Sequence, residues 1–224
     1  MSGAHRRAVL FDMDGVLILS AAAHYRSWRE TARARGVDLS EARFKETFGR
    51  TNQDSIRELF GELPADEVLR IADQKERHWR AAIAGSVPLA PGAVAVCTAL
   101  RDAGWALALG SSAPPENVAA VLSGTGLRAL LEVVVDGAMV RRGKPDPEVF
   151  VRCAERLGVA AARCVVVEDA PAGIQAARAA GMAAIGVTSA HPEAALRAAG
   201  AHDVIAALTE LLPARAAACL GAGT

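Results

Sequence analysis

The sequence carries no net charge: 25 lysines and arginines are matched by 25 aspartates and glutamates. Nothing in the bulk therefore draws the chain to nucleic acid or to an anionic membrane, although a local positive site for a small anion remains compatible with that balance. Long apolar runs are missing too. No stretch approaches the roughly 20 apolar residues that crossing a bilayer takes. The run behind the polar, basic start, Ala8 to Phe11, is too short for the core of a signal peptide. Cysteine is scarce: Cys97, Cys153, Cys164 and Cys219 are scattered, with no pair at zinc-like spacing. The first three are expected to be small buried apolar residues. Internal repeats are absent, and the one biased stretch is the small-residue tail from Ala214 to Thr224, expected to fray. These absences lead to the expectation of a cytoplasmic protein with no nucleic-acid or membrane partner; a monomer is the simpler default, since the sequence does not read out an oligomeric state.

What is present is ordinary for a folded chain: 52% hydrophobic and 22% charged residues, in 224 residues that suffice for one core domain and a smaller companion. The second half repeats one pattern, a short apolar run, a turn, then a helix-period segment. Ala93, Val96, Cys97 and Leu100 share a helical face that Gly104 ends. Trp105 to Leu109 follows as a buried strand, then a helix through Asn117 to Leu122 and a strand at Val133 to Val135. Asp146 and Pro147 start a helix that Gly158 closes. Cys164 to Val167 reads as a strand, Pro171 to Ala180 as a helix stopped by Gly181, and Ala184 to Val187 as another strand. Alternating strands and helices imply parallel crossovers and an open, doubly wound α/β sheet. Between Ala8–Phe11 and Trp105 the pattern breaks into helices alone: His24 to Arg35, Glu41 to Phe48, Gln53 to Phe60 and Asp66 to Ala84. An all-helical insertion over residues 20–85, in a core made of 1–19 and 86–224, is the expected domain organisation.

Ligands of an open parallel sheet bind beyond the carboxyl ends of its strands. Those positions hold Asp12 and Asp14 after Phe11, Ser111 and Ser112 after Leu109, Lys144 beyond Val135, and Glu168 and Asp169 after Val167. Up to four carboxylates would then share one crevice, and each like-charged pair at 4 Å costs about 4 kcal/mol at an effective dielectric near 20. A hard divalent cation makes such a cluster tolerable, and an all-oxygen donor set suits Mg²⁺ better than zinc. Lys144 and Ser111, with turn amides, suit the oxygens of a phosphate. A helix cap or a solvated surface explains any one of these acids, but not four strand ends of complementary type.

The segments AVLFDMDGVL, LALGSS, RGKPDPEVF and VVVEDAPAGIQAARAAGM resemble, in order, the four motifs of the haloacid dehalogenase superfamily, in its phosphatase and β-phosphoglucomutase branch. The resemblance implies a Rossmann-like core with a small helical cap inserted after the first strand. It implies that Asp12 is a nucleophile that becomes an aspartyl phosphate, and that Asp14 is the acid and base for leaving group and water. Asp12 and Asp169, with the Asp14 main chain, would hold Mg²⁺, and Glu168 would be a ligand or a neighbour of the ligands. Ser111, Ser112 and Lys144 would hold the phosphoryl group. Dehalogenases of the superfamily lack an acid at the position of Asp14, so its presence favours phosphate chemistry. These parts answer what phosphoryl transfer needs, positioning and neutralised charge.

His24, Trp28 and Lys75 match cap positions of β-phosphoglucomutase and related sugar phosphatases. His24 either faces the active site or is an exposed histidine on a polar face; Trp28 is cap packing or a substrate contact. His5, His78, His191 and His202 carry no signal and default to the surface. Leu19 stands where the branch commonly has an acid. Asn52 stands where the mutase carries an arginine for a second phosphate, for which Arg50 or Arg57 would have to compensate. The loss of a bidentate clamp favours hydrolysis over mutase chemistry. The expected function is thus a Mg²⁺-dependent phosphatase acting on a small phosphorylated metabolite, a sugar phosphate. The alternatives are a β-phosphoglucomutase-type phosphomutase and, more remotely, a non-catalytic phosphate-binding protein.

Overall fold

The structure, a computed structural model, describes residues 6–47 and 51–221. The chain divides into two compact units, Met1–Leu19 with Pro88–Thr224, and Ser20–Val87. Along the chain the elements are β1 (Arg7–Phe11), α1 (Ala21–Arg33), α2 (Glu41–Thr47), α3 (Asn52–Phe60), α4 (Ala65–Ile83), α5 (Ala93–Asp102) and β2 (Trp105–Gly110). There follow α6 (Pro115–Ser123), β3 (Val133–Val135), α7 (Glu148–Leu157), β4 (Cys164–Glu168), α8 (Pro171–Ala179), β5 (Ala183–Val187), α9 (Glu193–Ala198), β6 (Asp203–Ile205) and α10 (Pro213–Gly221).

The six strands form one sheet in the order β3-β2-β1-β4-β5-β6, with every pairing parallel. Residues of β2, β4 and β5 are buried throughout, without the alternation of a one-sided sheet, because helices cover both faces. On one face Leu10, Ala108 and Val166 pack with Phe150, Cys153 and Ile174 in a single apolar cluster. Cys97, Cys153, Cys164 and Cys219 are all buried free thiols. Register fixes the functional end: Phe11 lies beside Leu109 and Val167, and Gly110 beside Val135. The segments leading to and from the helical unit are laced together, with Leu19 N donating to Pro88 O at 2.7 Å and Ala90 N to Leu17 O at 2.9 Å.

The helical unit has its own apolar cluster, in which Trp28, Phe44, Ile56 and Ile71 are buried. No helix among the described residues is long and apolar enough to cross a membrane.

The tail corrects the sequence expectation. Instead of fraying from Ala214, it forms α10, with Ala216 and Cys219 buried. Arg215 ties it down through Nε to Asp203 Oδ2 at 2.5 Å and Nη2 to Val204 O at 3.2 Å. Residues 222–224 lie outside the described residues.

Candidate active site

The predicted residues of the core unit follow the strand ends: Asp12, Asp14, Ser111, Ser112 and Asp169 lie just past a strand, Glu168 is the last residue of β4, and Lys144 lies further along the chain after β3. Asp12 continues the ladder of β1, its N–H donating to Val167 O at 3.0 Å, and Ser111 continues β2, donating to Val135 O at 3.0 Å. Asp12, Glu168 and Asp169 come together, each offering an oxygen within 4.8 Å of the others, and all three are buried. Lys144 reaches this group from the loop after β3. Its Nζ donates to Asp12 Oδ1 at 2.5 Å and to Glu168 Oε1 at 2.6 Å, and lies 4.9 Å from the centroid of the Phe150 ring.

Glu168 is committed on both oxygens, since Oε2 accepts from Asp169 N at 2.9 Å and Ala170 N at 3.0 Å. It lies hard against the first turn of α8, where a Cβ on Gly173 would come within 1.9 Å of its carboxylate. Asp14 is half-buried two residues beyond Asp12. The buried Ser111 Oγ accepts from Ala113 N at 3.1 Å, whereas Ser112 is exposed. Gly137 packs against the Ser112 carbonyl, which a Cβ there would approach to 2.5 Å.

The electrostatics follow from burial. Burial pushes the Asp169 carboxyl up to about 8, with Glu168 and Asp12 adding to the rise. It pushes Asp12 up as well, against the pull of Lys144 and with the help of Glu168 and Asp14. For Lys144 burial acts downward, but the Asp12 and Glu168 carboxylates outweigh it and hold the ammonium more firmly protonated.

His24, Asn52 and Lys75 come together in the helical unit around Glu76. Lys75 Nζ lies 3.0 Å from His24 Nδ1 and 2.9 Å from Glu76 Oε1, and Asn52 Nδ2 donates to the same Oε1 at 2.8 Å. An ammonium only donates, so His24 accepts at Nδ1. His24 is half-buried, its ring 5.4 Å from that of Trp79, which replaces the picture of an exposed histidine on a polar face. Trp28 is packed inside. Arg57 pairs with Glu62 at 2.8 Å on the surface, and Arg50 lies outside the described residues.

The three other described histidines, His78, His191 and His202, are not the plain surface groups expected. His78 bonds Thr31 Oγ1 at 3.0 Å and His202 Nδ1 accepts from Ala184 N at 3.0 Å, each half-buried. His5 lies outside the described residues. His191 is at the site itself, its Nδ1 donating to the Asp169 carbonyl at 3.0 Å. Beside it, Ser189 Oγ is 2.5 Å from Gly15 O and 3.3 Å from Asp169 Oδ2. Sequence reasoning missed both. They follow β5, a fifth strand end to which the same rim rule applies.

Residues 6–181 match the family model described as haloacid dehalogenase-like hydrolase. The chain belongs to that family. Hexitol phosphatase A of Escherichia coli (strain K12) is 33% identical over 186 residues, 82% of this chain and 83% of that protein. Beta-phosphoglucomutase of Bacillus subtilis (strain 168) is 29% identical over 194 residues, 83% of this chain and 85% of that one. A solved family IA, variant 3 hydrolase from Entamoeba histolytica has a TM-score of 0.89 at 28% identity, covering 96% of this chain and 99% of its own.

A divalent metal ion is the cofactor that a haloacid dehalogenase-like hydrolase implies, and the donor set fits one. Three clustered carboxylates face a single ammonium. The missing positive charge corresponds to a divalent ion, and the donors are oxygens only.

Proposed function

We propose that this chain is a Mg²⁺-dependent phosphatase that hydrolyses a small phosphorylated metabolite, a sugar phosphate, through Asp12. The observation that carries the reading is the grouping of Asp12, Glu168 and Asp169 about Lys144 at the strand ends. Asp12 and Asp169, with the Asp14 main-chain carbonyl, would hold the Mg²⁺, which supplies neutralisation of the carboxylate and phosphoryl charge. Glu168 holds Lys144 and the start of α8.

An oxygen of Asp12 attacks phosphorus, and the bond from phosphorus to the leaving oxygen breaks as Asp14 gives that oxygen a proton. Asp14, now a carboxylate, takes a proton from water, whose oxygen attacks the aspartyl phosphate. Inorganic phosphate leaves and Asp12 is regenerated. Lys144 and Ser111, with Ser112 at the loop tip, orient the phosphoryl oxygens and offset the charge that develops on them. Selectivity is assigned to the helical unit, through His24, Asn52 and Lys75.

A phosphomutase is the second reading, favoured by the likeness to Beta-phosphoglucomutase. Against it stands Asn52, whose amide is turned to Glu76 and offers no bidentate clamp for a second phosphate. Phosphate release from a panel of sugar and other small phosphates, with Mg²⁺ or with EDTA, tests the reading. Mg²⁺-dependent release from sugar phosphates supports it. Isomerisation of β-glucose 1-phosphate faster than release overturns it in favour of the mutase.

A further inference from the structure

Ser189 lies two residues past the end of β5, exposed, and none of the motifs involves it. Its hydroxyl nevertheless stands where three rim segments meet. Oγ is 2.5 Å from the carbonyl of Gly15, in the loop after β1, and 3.3 Å from Oδ2 of Asp169, just past β4. Gly15 is confined on the same side. It has φ +76°, and a Cβ there would come within 1.8 Å of Asp169 Oδ2 and 3.1 Å of Ser189 Oγ. The Asp169 carboxylate therefore lies directly on the Gly15 backbone, and Ser189 closes the contact.

A serine has one proton to give, and the shorter contact takes it. Ser189 thus donates chiefly to Gly15 O, with Asp169 Oδ2 the second acceptor of the same hydroxyl at 3.3 Å, so one O–H spans the loop that carries Asp12 and Asp14 and the Asp169 carboxylate. Two residues on, His191 holds the Asp169 carbonyl from the same loop. Packing does not explain the serine, because an exposed Oγ fills no core. A helix cap does not explain it either, because α9 begins at Glu193 after Pro192.

We propose that Ser189 is a positioning residue for the metal site: its hydroxyl ties the loop after β1 to Asp169 and so tunes the affinity of the carboxylate group for a divalent cation. The inference rests on the reading of Asp169 as a metal ligand. Outer partners that orient a ligand carboxylate are worth about 10–100-fold in metal affinity or activity.

Calorimetric titration of the full chain with MgCl₂, without substrate, tests both. The dissociation constant for Mg²⁺ is expected to rise about tenfold or more in Ser189→Ala and to stay near the parent value in Ser189→Thr, which keeps the hydroxyl. The metal-free melting temperature is expected to move by no more than about 2 °C, as for a surface substitution. In turnover the loss falls on the Mg²⁺ concentration needed for half-maximal rate more than on kcat. Should Ser189→Ala fail to fold, Ser189→Cys, of similar volume and with a weak donor, makes the same comparison. Mg²⁺ affinity equal to the parent in the hydroxyl-less variant overturns the positioning role and leaves the metal site standing. No Mg²⁺ binding by the parent chain, or undiminished binding in Asp169→Asn, overturns the metal reading and the positioning role with it.

Discussion

Lys144 in the sheet core and Lys75 in the helical unit are both largely buried, and each bonds a glutamate at under 3 Å. Their surroundings differ in the count of charges. Lys144 touches Asp12 and Glu168, with Asp169 grouped alongside, so carboxylates outnumber the ammonium three to one. Lys75 meets one carboxylate, Glu76, and the unprotonated nitrogen of His24, with Asn52 donating to Glu76. Among the described pairs, the second arrangement sets one ammonium against one carboxylate. The first does not, and burial converts the surplus into raised carboxylate affinities for protons or for a cation. A buried lysine on its own thus says little about chemistry; the charge left over around it says much more.

The contrast is sharpened most by removing charge from the unbalanced group. Asp12→Asn is expected to lower Mg²⁺-dependent phosphate release by at least about 10⁴-fold, the scale of losing a covalent nucleophile. The melting temperature should not collapse, so that the loss is one of chemistry. Unchanged release would remove Asp12 as nucleophile. Lys144→Met comes next, with a loss of about 10²–10³-fold in kcat, the scale of one charge-stabilising donor. A loss below about tenfold there would dissolve the distinction between the two lysines.

Metal removal probes the same surplus through pH. Asp169 has its native affinity raised to about 8 from an ordinary 3.8, chiefly by burial. Between those values the native state keeps a proton that the unfolded chain has released. The associated stability is fully present below about pH 4 and is lost as pH rises through about 8. Asp12 acts in the same direction. Glu148 acts oppositely: lowered to about 2 by Arg152 and by main-chain donors at Arg141 and Arg142, it loses its contribution only as pH falls below its ordinary 4.5. In EDTA the melting temperature should therefore fall from about pH 5 to about pH 9, and saturating Mg²⁺ should flatten that fall. A profile in EDTA as flat as that in Mg²⁺ would mean the three acids carry no surplus.

The sheet was legible because its strands are continuous apolar runs, and helix breaks fall at Gly36, Gly104, Gly158 and Gly181, all with positive φ. What escaped notice was short or tertiary in origin. Asp203–Ile205 and Glu193–Ala198 are too brief for a periodic pattern, and each is held by its neighbours. The α10 tail looks unanchored in sequence because its anchor, Asp203, lies ten residues before it starts. Asp12, Lys144, Glu168 and Asp169 were legible because their residue types at strand ends have few structural uses. Ser189 was not, since a serine in a polar loop is unremarkable until Gly15 and Asp169 are seen on either side of it.

The smallest effect on turnover is expected in the balanced group. Lys75→Met should change kcat by less than about tenfold and act more on KM, because no charge surplus there awaits neutralisation. Its effect should instead be on stability. It leaves the buried Glu76 carboxylate without its ammonium, a loss of the kind that costs about 3–5 kcal/mol. Adding Glu76→Gln removes the carboxylate that the ammonium had paired, so the double variant should regain part of what Lys75→Met lost, with a coupling energy in urea unfolding of about 1–3 kcal/mol. The corresponding pair at the rim, Lys144→Met with Glu168→Gln, should not recover activity, because Asp12 and Asp169 remain and the ammonium proposed to hold the phosphoryl group is gone. Strict additivity at Lys75 and Glu76 would show that the helical group is not a self-balanced pair, and the comparison between the two lysines would then rest on the rim alone.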